Sequence, residues 1–148
     1  MPLSSSPPPA PPPVDRVLES VLYVADLDAA ERFYADVLGL ALHSRKPGLF
    51  AFFRCGPGMV LLFDPDAAAK GRDIPAHGAR GPGHLCLAVA AADLPAWRGR
   101  LHACGVAIEA EVSWPGGGES VYFRDPAGNS LELATPALWS LPEPAAGR

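Results

Sequence analysis

Apolar residues along this chain follow two spacings in turn. In residues 18–24, Leu18, Leu22 and Val24 share one parity with only Ser20 interrupting, the period of a strand half-covered by a core. Leu27, Ala30, Phe33, Tyr34, Val37 and Leu38 then return at helical spacing, behind Asp26 or Asp28 as a cap and ahead of Gly39 as a stop. Three short strands are expected near 40–44, 49–54 and 59–63, the last two joined by the turn Cys55-Gly56-Pro57-Gly58. The succession repeats. A strand over 84–89 leads to a helix from Asp93 to about Cys104, closed by Gly105, and to strands near 106–112, 119–124 and 130–134. Each copy reads βαβββ.

Parity assigns the strand faces, because side chains alternate across a strand. Leu18, Leu22 and Val24 leave Glu19, Val21 and Tyr23 opposite; Leu85, Leu87 and Val89 leave His84, Cys86 and Ala88. In the same way Leu131 and Leu133 send Ser130 and Glu132 across, and Val121 and Phe123 send Ser120, Tyr122 and Arg124. An offset of 65 residues superimposes Glu19 on His84, and an offset of 70 superimposes Arg54 on Arg124 and Leu62 on Glu132. The four equivalent positions are then Glu19, Leu62, His84 and Glu132, which converge if the copies share a pseudo-twofold axis. Two carboxylates and one neutral imidazole neutralise a divalent ion, and mixed N/O donors suit Zn, Mn, Fe, Ni or Co. The alternative has the carboxylates paired with Arg54 or Arg124 and His84 hydrogen-bonded in the core.

Composition narrows the function classes. With 148 residues, a formal charge of −4 and lysine only at Lys46 and Lys70, the chain offers no basic surface for nucleic acid. No apolar run approaches the roughly 18 residues of a membrane span, and the N-terminus lacks the pattern of a signal peptide, so a cytoplasmic location is expected. Cys55, Cys86 and Cys104 have no metal-type spacing and are expected as reduced, mostly buried thiols. Residues 1–15 are expected as a disordered Pro/Ser-rich tail with polyproline II character, 16–64 as the first module, 65–82 as a connector, 83–136 as the second module and 137–148 as a C-terminal tail. Leu138, Trp139 and Leu141 could fold back onto the body. Gly116, Gly117 and Gly118 are expected as a mobile loop over a cleft, and His77 as a candidate acid or base in the connector.

At 18–40, 83–89 and 121–136 (LESVLYVADLDAAERFYADVLGL, GHLCLAV and VYFRDPAGNSLELATP) the chain resembles the vicinal oxygen chelate superfamily, which includes glyoxalase I, extradiol dioxygenases, fosfomycin-modifying enzymes and bleomycin-binding proteins. The resemblance implies an α+β fold of two βαβββ modules forming a cupped mixed sheet, commonly a homodimer. It implies metal ligands at Glu19, His84 and Glu132, with Leu62 where glyoxalases carry a glutamate. The expected function is a metal-dependent enzyme chelating vicinal oxygens of a small organic substrate, with isomerase/lyase or ring-cleaving dioxygenase chemistry, in which Glu132 or Glu19 could double as general base. The other expectation is a metal-free binding protein of the bleomycin-resistance type. Tyr23, Phe53, Trp114, Ser120, Tyr122 and Arg124 are the expected substrate-binding residues.

Overall fold

The computed structural model describes residues 7–145. The expectations for 1–6 and 146–148 lie outside them. Residues 7–18 carry no helix or strand and are exposed, as the proline content requires. β1 (Glu19–Tyr23) leads into α1 (Leu27–Arg32), where Asp26 Oδ1 accepts the Ala29 N–H at 2.9 Å and supplies the cap. The helix widens into a π-helical turn over Phe33–Val37 and ends at Gly39, whose φ of 69° is left-handed. β2 (Ala41–Lys46), β3 (Phe50–Cys55) and β4 (Gly58–Phe63) complete the first module.

The connector holds a helix that the periodicity does not reveal. α2 (Pro65–Ala69) is nucleated by Pro65 in its first turn and by Asp64 Oδ1, which accepts the Ala67 N–H at 2.8 Å. The second module follows as β5 (His84–Ala88), a 3₁₀ turn (Ala91–Asp93), α3 (Leu94–Ala103), β6 (Ala110–Ser113), β7 (Glu119–Arg124) and β8 (Ser130–Ala134). β6 starts later than its apolar pattern suggests because Val106 and Ile108 pack on the core rather than in a ladder.

The strands form two four-stranded sheets, ordered β1-β4-β3-β2 and β5-β8-β7-β6. Each holds one parallel pair, β1 with β4 and β5 with β8, because a helix carries the chain across; the remaining pairs are antiparallel. One apolar core lies on the helical side of both sheets, including Leu22, Phe53 and Leu62 from the first and Val121, Phe123 and Leu131 from the second. The modules are also pinned by a buried polar knot. Tyr34 Oη, from the π-helical turn, donates to Asp125 Oδ2 at 2.9 Å. Asp125 Oδ1 accepts the Ala127 and Asn129 N–H groups, and Asn129 Nδ2 donates to the Tyr23 carbonyl.

Two sequence expectations are corrected by the register. Leu62 is not the partner of Glu132: it pairs with Leu22 on the core face and is fully buried. The position equivalent to Glu132 is Leu61, which lies between Val21 and Phe52 as Glu132 lies between Cys86 and Tyr122. The cause is turn length. Arg54 pairs with Met59, five residues on, whereas Arg124 pairs with Ser130, six residues on, so the second turn holds one extra residue and every later side chain changes face at a constant offset. Phe53 likewise does not line a cleft. It is the equivalent of Phe123, fully buried in the core beside the Tyr34 ring at 5.9 Å.

Candidate functional site

The face of the second sheet away from the helices carries three rows set by the ladder. They are His84–Ser130–Arg124, Cys86–Glu132–Tyr122 and Ala88–Ala134–Ser120. Cross-strand neighbours on one face stand about 5 Å apart at Cβ, so the first two rows bring their side chains within mutual reach.

His84 and Glu132 meet there. His84 Nε2 lies 3.2 Å from Glu132 Oε2, and His84 Nδ1 lies 3.0 Å from the Ser130 carbonyl. That carbonyl can only accept, so Nδ1 holds the hydrogen of the neutral ring and Nε2 presents its lone pair to the carboxylate. Two acceptors at this distance repel unless a cation is shared between them, either a proton on Nε2 or a metal ion.

Glu132 is 5% exposed, so its charge must be held by neighbours. Ser120 Oγ donates to Oε1 at 2.5 Å, and Trp114 Nε1 donates to Ser120 Oγ at 2.9 Å. This relay occupies one carboxylate oxygen and leaves Oε2 as a monodentate donor. The Tyr122 ring stacks against His84 with centroids 6.4 Å apart. Partial burial and the Glu132 charge raise the Tyr122 hydroxyl above its usual range, and the same two causes push the Cys86 thiol up to about 12. Cys86 is therefore a protonated neighbour of the carboxylate at neutral pH.

The first sheet carries the equivalent rows Glu19–Met59–Arg54, Val21–Leu61–Phe52 and Tyr23–Phe63–Phe50. Glu19 is exposed there and lines a groove between β1 and β5 with Cys86 and Ala88. It does not join His84 and Glu132 within one chain; among the described residues no group of three His, Cys, Asp or Glu side chains is placed to hold a metal ion. The arginine alternative fails on geometry as well. Arg54 bonds His43 Nδ1 at 3.1 Å, and Arg124 pairs with Glu109 at 2.6 Å and with the Gly128 carbonyl, so Arg124 braces its own turn.

Of the residues expected to bind substrate, Trp114, Ser120 and Tyr122 gather around Glu132, while Tyr23 stands on the other sheet with its hydroxyl 2.7 Å from His77 Nδ1. Phe52, not Phe53, faces the open side; its equivalence to Tyr122 under the offset of 70 was the available signal. Cys86 and Cys104 are exposed and Cys55 is half-buried, against the expectation of mostly buried thiols. Gly116 to Gly118 form a tight turn, with Trp114 N–H on the Gly118 carbonyl; a Cβ at Gly118 would meet Leu138 N at 2.6 Å, whereas Gly116 and Gly117 are exposed with open space around them. Leu138 is tucked in, whereas Trp139 and Leu141 remain exposed.

The donors fit a borderline divalent ion: one imidazole nitrogen with a fixed tautomer, one monodentate carboxylate oxygen, and positions left open. Residues 14–133 match the model of the Glyoxalase/Bleomycin resistance protein/Dioxygenase superfamily. The chain is 30% identical over 117 residues to the Metallothiol transferase FosB of Bacillus licheniformis, covering 78% of this chain and 72% of that protein. Its structure is similar to that of a lactoylglutathione lyase from Agrobacterium tumefaciens, with a TM-score of 0.84 and 43% identity over 88% of this chain and 100% of that one. A glyoxalase/bleomycin resistance protein/dioxygenase from Nocardioides, at TM-score 0.68 and 24% identity over 84% and 85% of the two chains, shares the fold.

Proposed function

Since the chain belongs to the glyoxalase/bleomycin resistance protein/dioxygenase superfamily, we propose that it is a metal-dependent enzyme acting on a small organic substrate with adjacent oxygens. His84 and Glu132 of one chain hold a divalent ion and Glu19 of a second copy completes the set. The observation that carries this reading is the meeting of His84 Nε2 and Glu132 Oε2 at 3.2 Å, with Nδ1 tied to a carbonyl and Oε1 tied to Ser120. Each side chain is oriented by its outer hydrogen bond so that one lone pair points at a common place.

A second copy is invoked because Glu19 sits apart in its own chain, on a strand flanked by bare apolar residues. Val17 is 76% and Leu18 62% exposed, with Val21 beside them, a stripe whose burial favours association. A divalent ion held there would supply Lewis acidity toward an oxygen of the substrate. The protein's own groups do the rest: Ser120 and Trp114 fix Glu132, Tyr122 flanks the open positions with a hydroxyl that stays protonated, and whichever carboxylate binds more weakly serves as base.

Metal analysis of the purified protein tests the proposal. About one divalent ion per chain is expected, lost in both Glu132→Ala and Glu19→Ala. Mixing the two variants restores uptake if the ligands come from two chains, because the mixed dimer holds one intact set; no restoration places them in one chain. A second reading, a metal-free binding protein, is favoured by the fact that a proton on His84 Nε2 satisfies the same contact. Protein that takes up no metal, yet binds a small organic molecule in calorimetry with loss of binding in Tyr122→Ala, supports it.

A further inference from the structure

The two sheets carry the same backbone positions with opposite chemistry. Where the second sheet has Cys86, Glu132 and Tyr122 in its middle row, the first has Val21, Leu61 and Phe52; where the second has Ala88, Ala134 and Ser120, the first has Tyr23, Phe63 and Phe50. Successive rows lie about 7 Å apart along a strand, so the apolar middle row is roughly one ring-width from Glu19. The wall is built rather than incidental. Phe50 and Phe52 stack with centroids 4.1 Å apart and 17° between planes, and Phe63 meets Phe52 edge-on at 5.2 Å. Leu61 and Phe63 are buried against Ala68 of α2, while Phe50, Phe52 and Met59 stay half-open beside them. The middle row carries no charged side chain; among the described residues the cations of that face are Arg54, turned to His43, and Lys46, which pairs with Phe50 at the edge strand.

We infer that the substrate carries a flat apolar body, an aryl group in the simplest case, beside its chelating oxygens, and that the Phe52 face of the first sheet is the wall that receives it. This rests on the reading of Glu19 as a metal ligand: a molecule anchored at Glu19 has Met59 in its own row and Val21, Leu61 and Phe52 in the next. A compact anionic substrate would find no counter-charge in the middle row, since Lys46 stands one row further on, beside Phe50 at the edge. The Tyr23–His77 pair at 2.7 Å closes the far end with hydrogen-bonding groups, a place for a polar substituent distal to the ring.

The test compares phenylglyoxylate with pyruvate, which share the keto-acid oxygens and differ by phenyl against methyl, using calorimetry on the full chain loaded with Zn²⁺ or Mn²⁺. The wall predicts that phenylglyoxylate binds about ten- to thirty-fold tighter, the range for burying a ring in an apolar site. That preference falls to within about three-fold in Phe52→Ala, and also in Met59→Gln, which leaves the ring stack untouched; metal content is unchanged in both. Equal affinity of the two probes in protein carrying its metal overturns the inference and leaves the metal reading standing. If no metal is taken up, the metal reading falls alone, and the wall is judged on the metal-free protein. A phenyl preference that depends on Phe52 upholds it there, and no preference overturns it.

Discussion

Ser120 Oγ donates to Glu132 Oε1 at 2.5 Å, and this one bond decides which carboxylate oxygen is free to face His84. Without it Oε1 of a carboxylate only 5% exposed would lose its hydroxyl donor and the group could turn. Ser120→Ala is expected to weaken divalent-metal affinity by about ten- to a hundred-fold, the usual cost of losing the group that orients a ligand. Trp114→Phe, one bond further out, moves it in the same direction by less. Competition against a chromophoric chelator reads both, and equal affinities in wild type and Ser120→Ala would show that the relay does not position the ligand.

Tyr34 is held in the core by burial and by the Asp125 carboxylate, which raise its hydroxyl well above the ordinary value of 10.0. A raised folded-state value means that the unfolded chain releases its proton first. The stability from this group is therefore complete below pH 10 and drains away as pH climbs above it. Tyr34→Phe should cost about 1–3 kcal/mol at neutral pH, the worth of a hydrogen bond to a buried charge. Urea denaturation should also show a shallower loss of stability above pH 10 in the variant than in wild type.

The Cys86 thiol, pushed up to about 12 by partial burial and then by Glu132, should alkylate slowly at pH 8 despite its exposed position. Glu132→Gln removes the charge and keeps the volume, so iodoacetamide labelling of Cys86 followed by mass spectrometry should speed up several-fold. An unchanged rate would mean that the carboxylate does not govern the thiol.

Adjacent phenylalanines in β3 separate the two faces. Phe53 is fully buried among the helices, and Phe53→Ala should lose about 3–5 kcal/mol. Phe52 is half-open on the other side, and Phe52→Ala should lose clearly less while remaining folded. Equal losses in chemical denaturation would place both rings in one core.

Leu61 and Leu62 make the corresponding test of register. Leu62→Glu puts a carboxylate among the core residues and should abolish folding. Leu61→Glu sits opposite Phe52 on the other face, at the true counterpart of Glu132, and should remain folded at a lower melting temperature. A reversed order would return the position to Leu62.

What the linear chain determined by itself was everything governed by neighbours along it. Period and turn residues announced both βαβββ modules, Asp26 and Gly39 bounded the first helix, and parity put His84 and Glu132 on one open face with Ser120 and Tyr122. α2 was missed because a helix of five residues, Pro65–Ala69, carries no full period to detect. Tertiary structure decided what depends on pairing between distant strands. One extra residue in the turn before β8 moved the equivalence from Leu62 to Leu61, since a one-residue slip inverts every face beyond it. It also decided that Glu19, on its own sheet, does not gather with the two residues it was expected to join: strand parity orients a side chain but does not say how two sheets are set against each other.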